Sequence, residues 1–400
     1  MRRYTASFHP GYWIFVDKRK TGIVSQLINT SFCAFHLDTC MTISYTRITK
    51  KGSCTCLVHS ITSRVSPFPW LGNVQLVHTH RTSGERHKKM ILRILAVIVI
   101  IVASAVGYQL LKDRDIPLDV LKAKYSYPHS QFVEVDGVNF HVLDEGNPAD
   151  ETIVLIHGHF GSVHLYDDWA DILKERYRVV RFDITSHGLT GPDPTGDYTR
   201  ERTTYLTEKL LNKLNVDTFH MCGTSTGGSI ALYYTAKHPG KVLSLTLQCP
   251  GAMAPRMART KEDAGLPLPF YLLAYITPRS LWSGMLERMT GERFTVTDEL
   301  IDRYYELERL EGQRPAELAR MEQTVRGNVE EVLGSITVPT LIQWGEDNPQ
   351  LPVSQADDYV KLMTRTTPTV IIYPKVGHVP PMEIPEETAK DFMKFISALQ

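Results

Sequence analysis

What this chain lacks narrows its function first. It has no excess charge: 44 Lys and Arg stand against 44 Asp and Glu, which removes the electrostatic basis for nucleic acid as a partner. It has few cysteines, six in 400 residues. Cys33, Cys40, Cys54 and Cys56 fall before residue 89, while Cys222 and Cys249 sit later in apolar runs that read as buried strands, so no disulfide framework is implied. It has no phosphate loop and no dinucleotide fingerprint. The lone Cys54-x-Cys56 with His59 lacks the second ligand pair of a structural zinc site. No cofactor and no metal are therefore expected. Residues 1–89 also nearly lack acids, with Asp17, Asp38 and Glu85 against 13 Lys and Arg, and show no useful periodicity. That segment is expected to be a disordered leader, with Met90 as the residue at which translation begins.

Long apolar runs are scarce too, with one exception. Ile94 to Val106 reads ILAVIVIIVASAV, and GYQLL extends it to Leu111, behind Arg86, Lys88, Lys89 and Arg93. About 18 residues at 1.5 Å each nearly cross a bilayer core of roughly 30 Å. Residues 90–112 are thus expected to be a transmembrane anchor contacting lipid through 94–111. The basic flank would stay cytoplasmic, leaving the rest of the chain extracytoplasmic. A cleaved signal peptide is the alternative, because Ala103-Ser104-Ala105 has the small-x-small form of a cleavage site, and cleavage near Ala105 would give a secreted or periplasmic protein.

What remains is rich enough in apolar residues, 42% of the chain, to build a sizeable core. Phe132 to Val142 alternates apolar and polar around Asp136-Gly137, a hairpin signal. Strand-like runs follow at 153–157, 177–183, 219–223, 242–249, 340–345 and 369–374, separated by helical stretches. This alternation predicts an α/β fold with a mostly parallel sheet flanked by helices over 119–250 and 336–400. The gap of about ninety residues between Cys249 and Thr340 predicts a helical lid, 251–335, inserted after the sixth strand, because other connections between strands run about 20 to 35 residues.

Two turns carry chemistry. Gly223-Thr224-Ser225-Thr226-Gly227-Gly228 lies between the strand FHMC and the helical run SIALYYTAKH. A Gly-x-Ser-x-Gly turn at such a junction lifts the serine onto a strained elbow at a helix N-terminus, where the Thr226 N–H meets a developing oxyanion. His157-Gly158-His159-Phe160-Gly161-Ser162 directly follows the strand IVLI. Together HGHFGS, FDITSHGLTGP, GTSTGG and VGHVPPMEIPEE occur in an order and spacing that resemble the α/β-hydrolase fold superfamily, serine hydrolase branch, over roughly residues 131 to 397. The resemblance implies an oxyanion hole built from the amide of His159 or Phe160 with that of Thr226. It leaves His157, Asp183 and His187 with structural roles.

The catalytic base is expected at His378, after the last strand and the only histidine beyond His238. The acid departs from the family pattern: Gly345-Glu346-Asp347-Asn348 puts asparagine where the carboxylate belongs. Asp347 is taken as the acid, and Asn348 as the alternative orienting residue. Thr185 and Ser186 are a second departure, since the family commonly has proline and glycine there. The implied reaction is acyl transfer through an acyl-enzyme on a lipophilic carboxylic ester. Carbon–carbon bond hydrolysis, haloperoxidase-like chemistry and a non-catalytic binding role on the same scaffold are the alternatives. Phe270, Tyr271, Tyr275, Trp282, Tyr304 and Tyr305 are lid aromatics available to line an acyl pocket.

Overall fold

The computed structural model describes residues 83–253, 265–325 and 327–399, together with five strands of the preceding segment. Met1–Ile101 and Val102–Gln400 are separate units. In the first, Tyr4–His9 pairs antiparallel with Tyr12–Asp17, and Ile28–Thr30, Cys40–Ile48 and Cys54–Thr62 form a three-stranded antiparallel sheet. The rest of residues 1–82 lies outside the described residues, and with it the expectation of a disordered leader. The side chains of Cys54, Cys56 and His59 lie outside them as well. Helix α1 (Ser83–Lys112) begins seven residues before Met90. Within Lys89–Lys112 an 18-residue window has a mean hydropathy of 2.7 and no buried residues. By length and composition it is long and apolar enough to cross a membrane.

In the second unit, α2 (Leu118–Tyr125) precedes the hairpin of β1 (Gln131–Val135) and β2 (Val138–Glu145). Asp136 and Gly137 at its tip both have positive φ, 52° and 84°, as a two-residue turn matched to strand twist requires. Then follow β3 (Thr152–Ile156), α3 (Asp167–Leu173), β4 (Arg178–Phe182), α4 (Arg200–Lys213), β5 (Phe219–Thr224), α5 (Thr226–Lys237) and β6 (Val242–Gln248). After the insertion come β7 (Thr340–Gly345) and β8 (Thr369–Tyr373). These strands form one sheet in the order β8-β7-β6-β5-β3-β4-β2-β1, with β2 antiparallel to both neighbours and all other pairings beyond β1 parallel.

Strands β3, β4, β5 and β7 are buried at every residue, because helices cover both faces of a parallel sheet. On one face Val154, Ile156, Met221 and Leu247 pack with α4 and α5; on the other Ile153, Leu155, Cys222 and Leu341 pack with α3 and the C-terminal helix.

The insertion between β6 and β7 carries α6 (Leu268–Tyr271), α7 (Arg279–Met289), α8 (Asp298–Leu307), α9 (Gln313–Gln323) and α10 (Val329–Ser335). Of these, α7 and α8 line the cavity over Ser225 and α9 reaches the loop after β4 through Arg320, whereas α10 buries Val329, Val332 and Leu333 in the core cluster of the strands. The lid therefore ends ahead of α10 rather than at residue 335. After β7 come α11 (Ser354–Leu362), then, beyond β8, α12 (Pro380–Glu383) and α13 (Pro385–Ser397).

The residue following α1 is tied into the lid. The buried Asp113 carboxylate accepts from the Thr277 N–H at 3.0 Å and the Tyr305 hydroxyl at 2.8 Å, and its carbonyl accepts from Arg314 at 2.8 Å.

Candidate active site

The site is assembled at the carboxyl ends of β3, β5, β7 and β8, and the sharpest turn among them follows β5. Ser225 adopts φ 53°, ψ −112° between that strand and α5, a left-handed conformation that a residue with a Cβ occupies only under constraint. Two glycines make it possible. A Cβ on Gly223 would collide with the Gly227 carbonyl, and one on Gly227 with the carbonyls of Ile156 and His157. The turn is held by Ser225 N–H donating to Gln248 O at 2.9 Å and by the Gly251 N–H donating to Ser225 O at 2.8 Å. The hydroxyl is thereby raised above the sheet edge at the first turn of α5, where amides have no acceptor within the helix.

His378 meets it from the loop after β8, with Nε2 2.9 Å from Ser225 Oγ. That loop is fixed twice. The His378 N–H donates to Met289 O at the end of α7, 2.7 Å away. Buried Glu383 accepts from the backbone N–H of Gly377 at 2.8 Å, Val379 at 2.9 Å and Gly291 at 2.7 Å. One carboxylate thus binds the histidine loop to the lid. In the sequence alone, this glutamate inside VGHVPPMEIPEE has no evident task. Its signal was a lone acid five residues beyond the histidine in a proline-rich turn.

On the far side of the ring, the expectation for the acid is corrected. Asp347 is exposed, and its N–H is spent on Val376 O. The turn in which the Asn348 N–H donates to Gly345 O directs the next side chain inward, so the buried amide of Asn348 lies against His378 Nδ1, with Nδ2 at 3.0 Å and Oδ1 at 3.2 Å. Oδ1 also accepts from the N–H of Gln350 and of Leu351, each at 3.0 Å.

His159 and Phe160, with Gly158, form the opposite wall. Phe160 has φ 60°, and its ring packs edge-on against Trp282 of the lid, centroids 5.1 Å apart. His157 spends both nitrogens inside the protein: Nδ1 donates to Gly158 O at 2.7 Å and Nε2 accepts from the Ile184 N–H at 3.1 Å. Burial lowers its pKa and keeps it neutral. Asp183 is a buried hub that accepts from Val163 N–H, Leu189 N–H and His141 Nδ1 at 2.7, 2.7 and 2.8 Å. The space between these walls is a cavity of about 410 Å³ reaching Ser225 and His378, with Leu165, Met285, Met289, Tyr304 and Leu351 along it. Of the lid aromatics singled out from sequence, Tyr304 reaches this cavity. Trp282 supports it from behind, Tyr305 binds Asp113, and Phe270 and Tyr275 are exposed.

Thr185 and Ser186 acquire a reason in the lid. Arg320 of α9 donates to the Thr185 carbonyl and hydroxyl, both at 2.6 Å, and to Ser186 Oγ at 2.7 Å. Ser186 Oγ in turn donates to Glu317 at 3.0 Å. Glu317 also pairs with His159 Nε2 at 3.2 Å. His159, His187 and Glu317 bring three ligand atoms within 4.8 Å of one another, a donor set a divalent cation accepts. Arg320, with Nε 3.9 Å from Glu317, already supplies the neutralising charge there, so the cluster reads as an internal ion pair joining lid and core.

A family model described as alpha/beta hydrolase fold matches residues 151–385. The chain belongs to the α/β hydrolase fold family. Among curated α/β hydrolases it is similar to the monoacylglycerol lipase ABHD6 of Bos taurus, 25% identical over 283 residues, covering 67% of this chain and 82% of the relative. It is also similar to a 2-hydroxy-6-oxo-6-(2'-aminophenyl)hexa-2,4-dienoic acid hydrolase of Metapseudomonas resinovorans, 26% identical over 276 residues, 67% of this chain and 90% of that one. Among solved structures, a bacterial membrane phospholipase A superposes with a TM-score of 0.58 at 24% identity, covering 79% of this chain and 99% of the other, a likeness of fold. The α/β hydrolase sheet described above is the scaffold of that family, and this chain is a hydrolase belonging to it.

Proposed function

We propose that this hydrolase cleaves carboxylic esters with a lipophilic acyl chain, using Ser225 as nucleophile and His378 as general base. The observation that carries the reading is the 2.9 Å contact between Ser225 Oγ and His378 Nε2 at the base of a largely apolar cavity. The base draws the proton from Ser225, Oγ attacks the ester carbonyl, and the tetrahedral oxyanion is held by backbone N–H groups of Thr226 and of His159 or Phe160. His378 then returns the proton to the leaving alcohol, and water releases the acid by the same steps in reverse order. Asn348, in place of the Asp347 named from sequence, sits behind the imidazole. Leu165, Met285 and Met289 suit an acyl chain, and the relative named as a monoacylglycerol lipase fits that substrate class. In this reading α1 anchors the enzyme in a membrane through 94–111, with the catalytic unit extracytoplasmic.

The test is hydrolysis of p-nitrophenyl esters of increasing length by the full chain and by Ser225→Ala. Turnover that rises from acetate to octanoate and vanishes in the variant supports the reading; a preference for acetate removes the lipophilic substrate, and unchanged turnover in the variant removes the mechanism. Cleavage of a carbon–carbon bond is the second reading, favoured by the similarity to the dienoic acid hydrolase. A 2-hydroxy-6-oxo-dienoate consumed faster than any ester would establish it.

A further inference from the structure

Resting on the hydrolase reading, we infer that Asn348 holds His378 in the tautomer that carries its proton on Nε2, so that the resting imidazole donates to Ser225 instead of accepting from it. Asn348 is in this sense a positioning residue that sets the site in its low-activity form.

The hydrogen-bonding capacity of the amide fixes which way it faces. A primary amide has an oxygen that accepts two hydrogen bonds and a nitrogen that donates two. Which end faces the imidazole cannot be told from two nearly equal distances, 3.0 and 3.2 Å. The other neighbours decide it. The backbone N–H groups of Gln350 and Leu351 both point at Oδ1 from 3.0 Å, and a backbone N–H has no alternative role. Turning the amide over would set an NH₂ against two N–H donors, losing both bonds and opposing like dipoles in a buried site. The nitrogen end has a matching acceptor in His378 Nδ1, 3.0 Å from Nδ2. In this orientation alone the oxygen keeps both backbone donors while the nitrogen faces an acceptor. Nδ1 must then accept, which places the ring proton on Nε2, facing Ser225 Oγ at 2.9 Å.

The chemical consequence follows by counting protons. Breaking the Ser225 O–H bond requires a lone pair on Nε2 to receive the proton while the oxygen pair attacks carbon. That lone pair exists in the Nδ1-protonated tautomer, which here faces an NH₂ donor. The same loop suits a carboxylate at position 348: one oxygen would take the two backbone N–H groups and the other the Nδ1–H, leaving Nε2 as base. In serine triads, replacing such a carboxylate by its amide lowers turnover about 10⁴-fold through the wrong tautomer, so the reverse change at this position raises it.

The experiment pairs rates with a direct reading of the ring. Full-length protein, Asn348→Asp, Asn348→Ala, Asp347→Asn and Ser225→Ala are assayed on p-nitrophenyl butyrate across pH. ¹⁵N-histidine spectra are recorded beside His378→Gln to assign the ring. The inference expects a protonated-type Nε2 and lone-pair-type Nδ1 in the native chain, reversed in Asn348→Asp. It expects that variant to be faster by about 10²-fold or more, with the acid limb of its rate profile moved to higher pH because a carboxylate favours the imidazolium. Asp347→Asn leaves the rate unchanged. A lone-pair-type Nε2 in the native chain, or native and Asn348→Asp rates alike, overturns the inference while the hydrolase reading stands. Hydrolysis by neither would instead remove the hydrolase reading, and the spectra would still decide the tautomer.

Discussion

At Ser225 the backbone conformation, more than the hydroxyl itself, makes a nucleophile available. Its φ of 53° persists because three backbone carbonyls, those of Gly227, Ile156 and His157, occupy the space where Gly223 and Gly227 would carry a Cβ. Gly227→Ala is therefore expected to force the β5–α5 junction apart, at a cost of about 1–3 kcal/mol for an overpacked site, with loss of turnover. Urea unfolding and ester hydrolysis measured together check it; a variant as stable and active as the native chain would show that the turn is not under this constraint. This much was legible in the sequence, because Gly-x-Ser-x-Gly between an apolar run and a helical run states its own geometry. The identity of the residue behind His378 was not legible. Asp347 and Asn348 are adjacent, and which points inward depends on the turn closed by Val376 and Gly345, a contact between distant segments.

Helices and loops show the same division between local and distant information. The strands announced themselves through composition, and the Asp136-Gly137 hairpin through its turn residues. The extent of the lid did not, because α10 is helical like the insertion before it and is distinguished solely by packing on the sheet. Two of the contacts that fix the lid, those of Glu383 and Arg320, were equally silent, since a charged residue in a helix reads as solvated until its partners are seen. Arg320 is 5% exposed and lies against Glu317, Thr185 and Ser186. Arg320→Leu is expected to destabilise the chain by about 3–5 kcal/mol, because it removes the buried guanidinium that lies beside the Glu317 carboxylate. Arg320→Leu with Glu317→Gln should recover part of that loss; a double variant no better than the single one would contradict the pairing. Glu383→Ala, which strands three buried amides, is expected to cost about 3 kcal/mol and to lower turnover through the histidine loop, with Glu383→Gln intermediate. Equal stability of Glu383→Ala and the native chain would count against that role.

Over the whole molecule, burial of neutral histidines sets how stability responds to acid. Burial lowers the pKa of His157 and His220 and puts that of His187 well below the ordinary value. Because the folded-state values lie under the unfolded one, about 6.5, the unfolded chain takes up protons first as pH falls. Stability contributed by these residues is complete above about pH 6.5 and declines below it. Urea midpoints in detergent should thus fall between about pH 7.5 and about pH 5.5; a flat or rising midpoint would mean that these rings are solvated.

The sheet, the capping insertion and the fixed histidine loop all serve one contact, that of Ser225 with His378, and the most direct measurement of it is covalent. Full-length protein and Asn348→Asp are exposed to a fluorophosphonate and digested, and the peptide carrying residue 225 is weighed. The adduct is expected on Ser225 in both, forming faster in Asn348→Asp, and its absence from that serine in both would contradict the account.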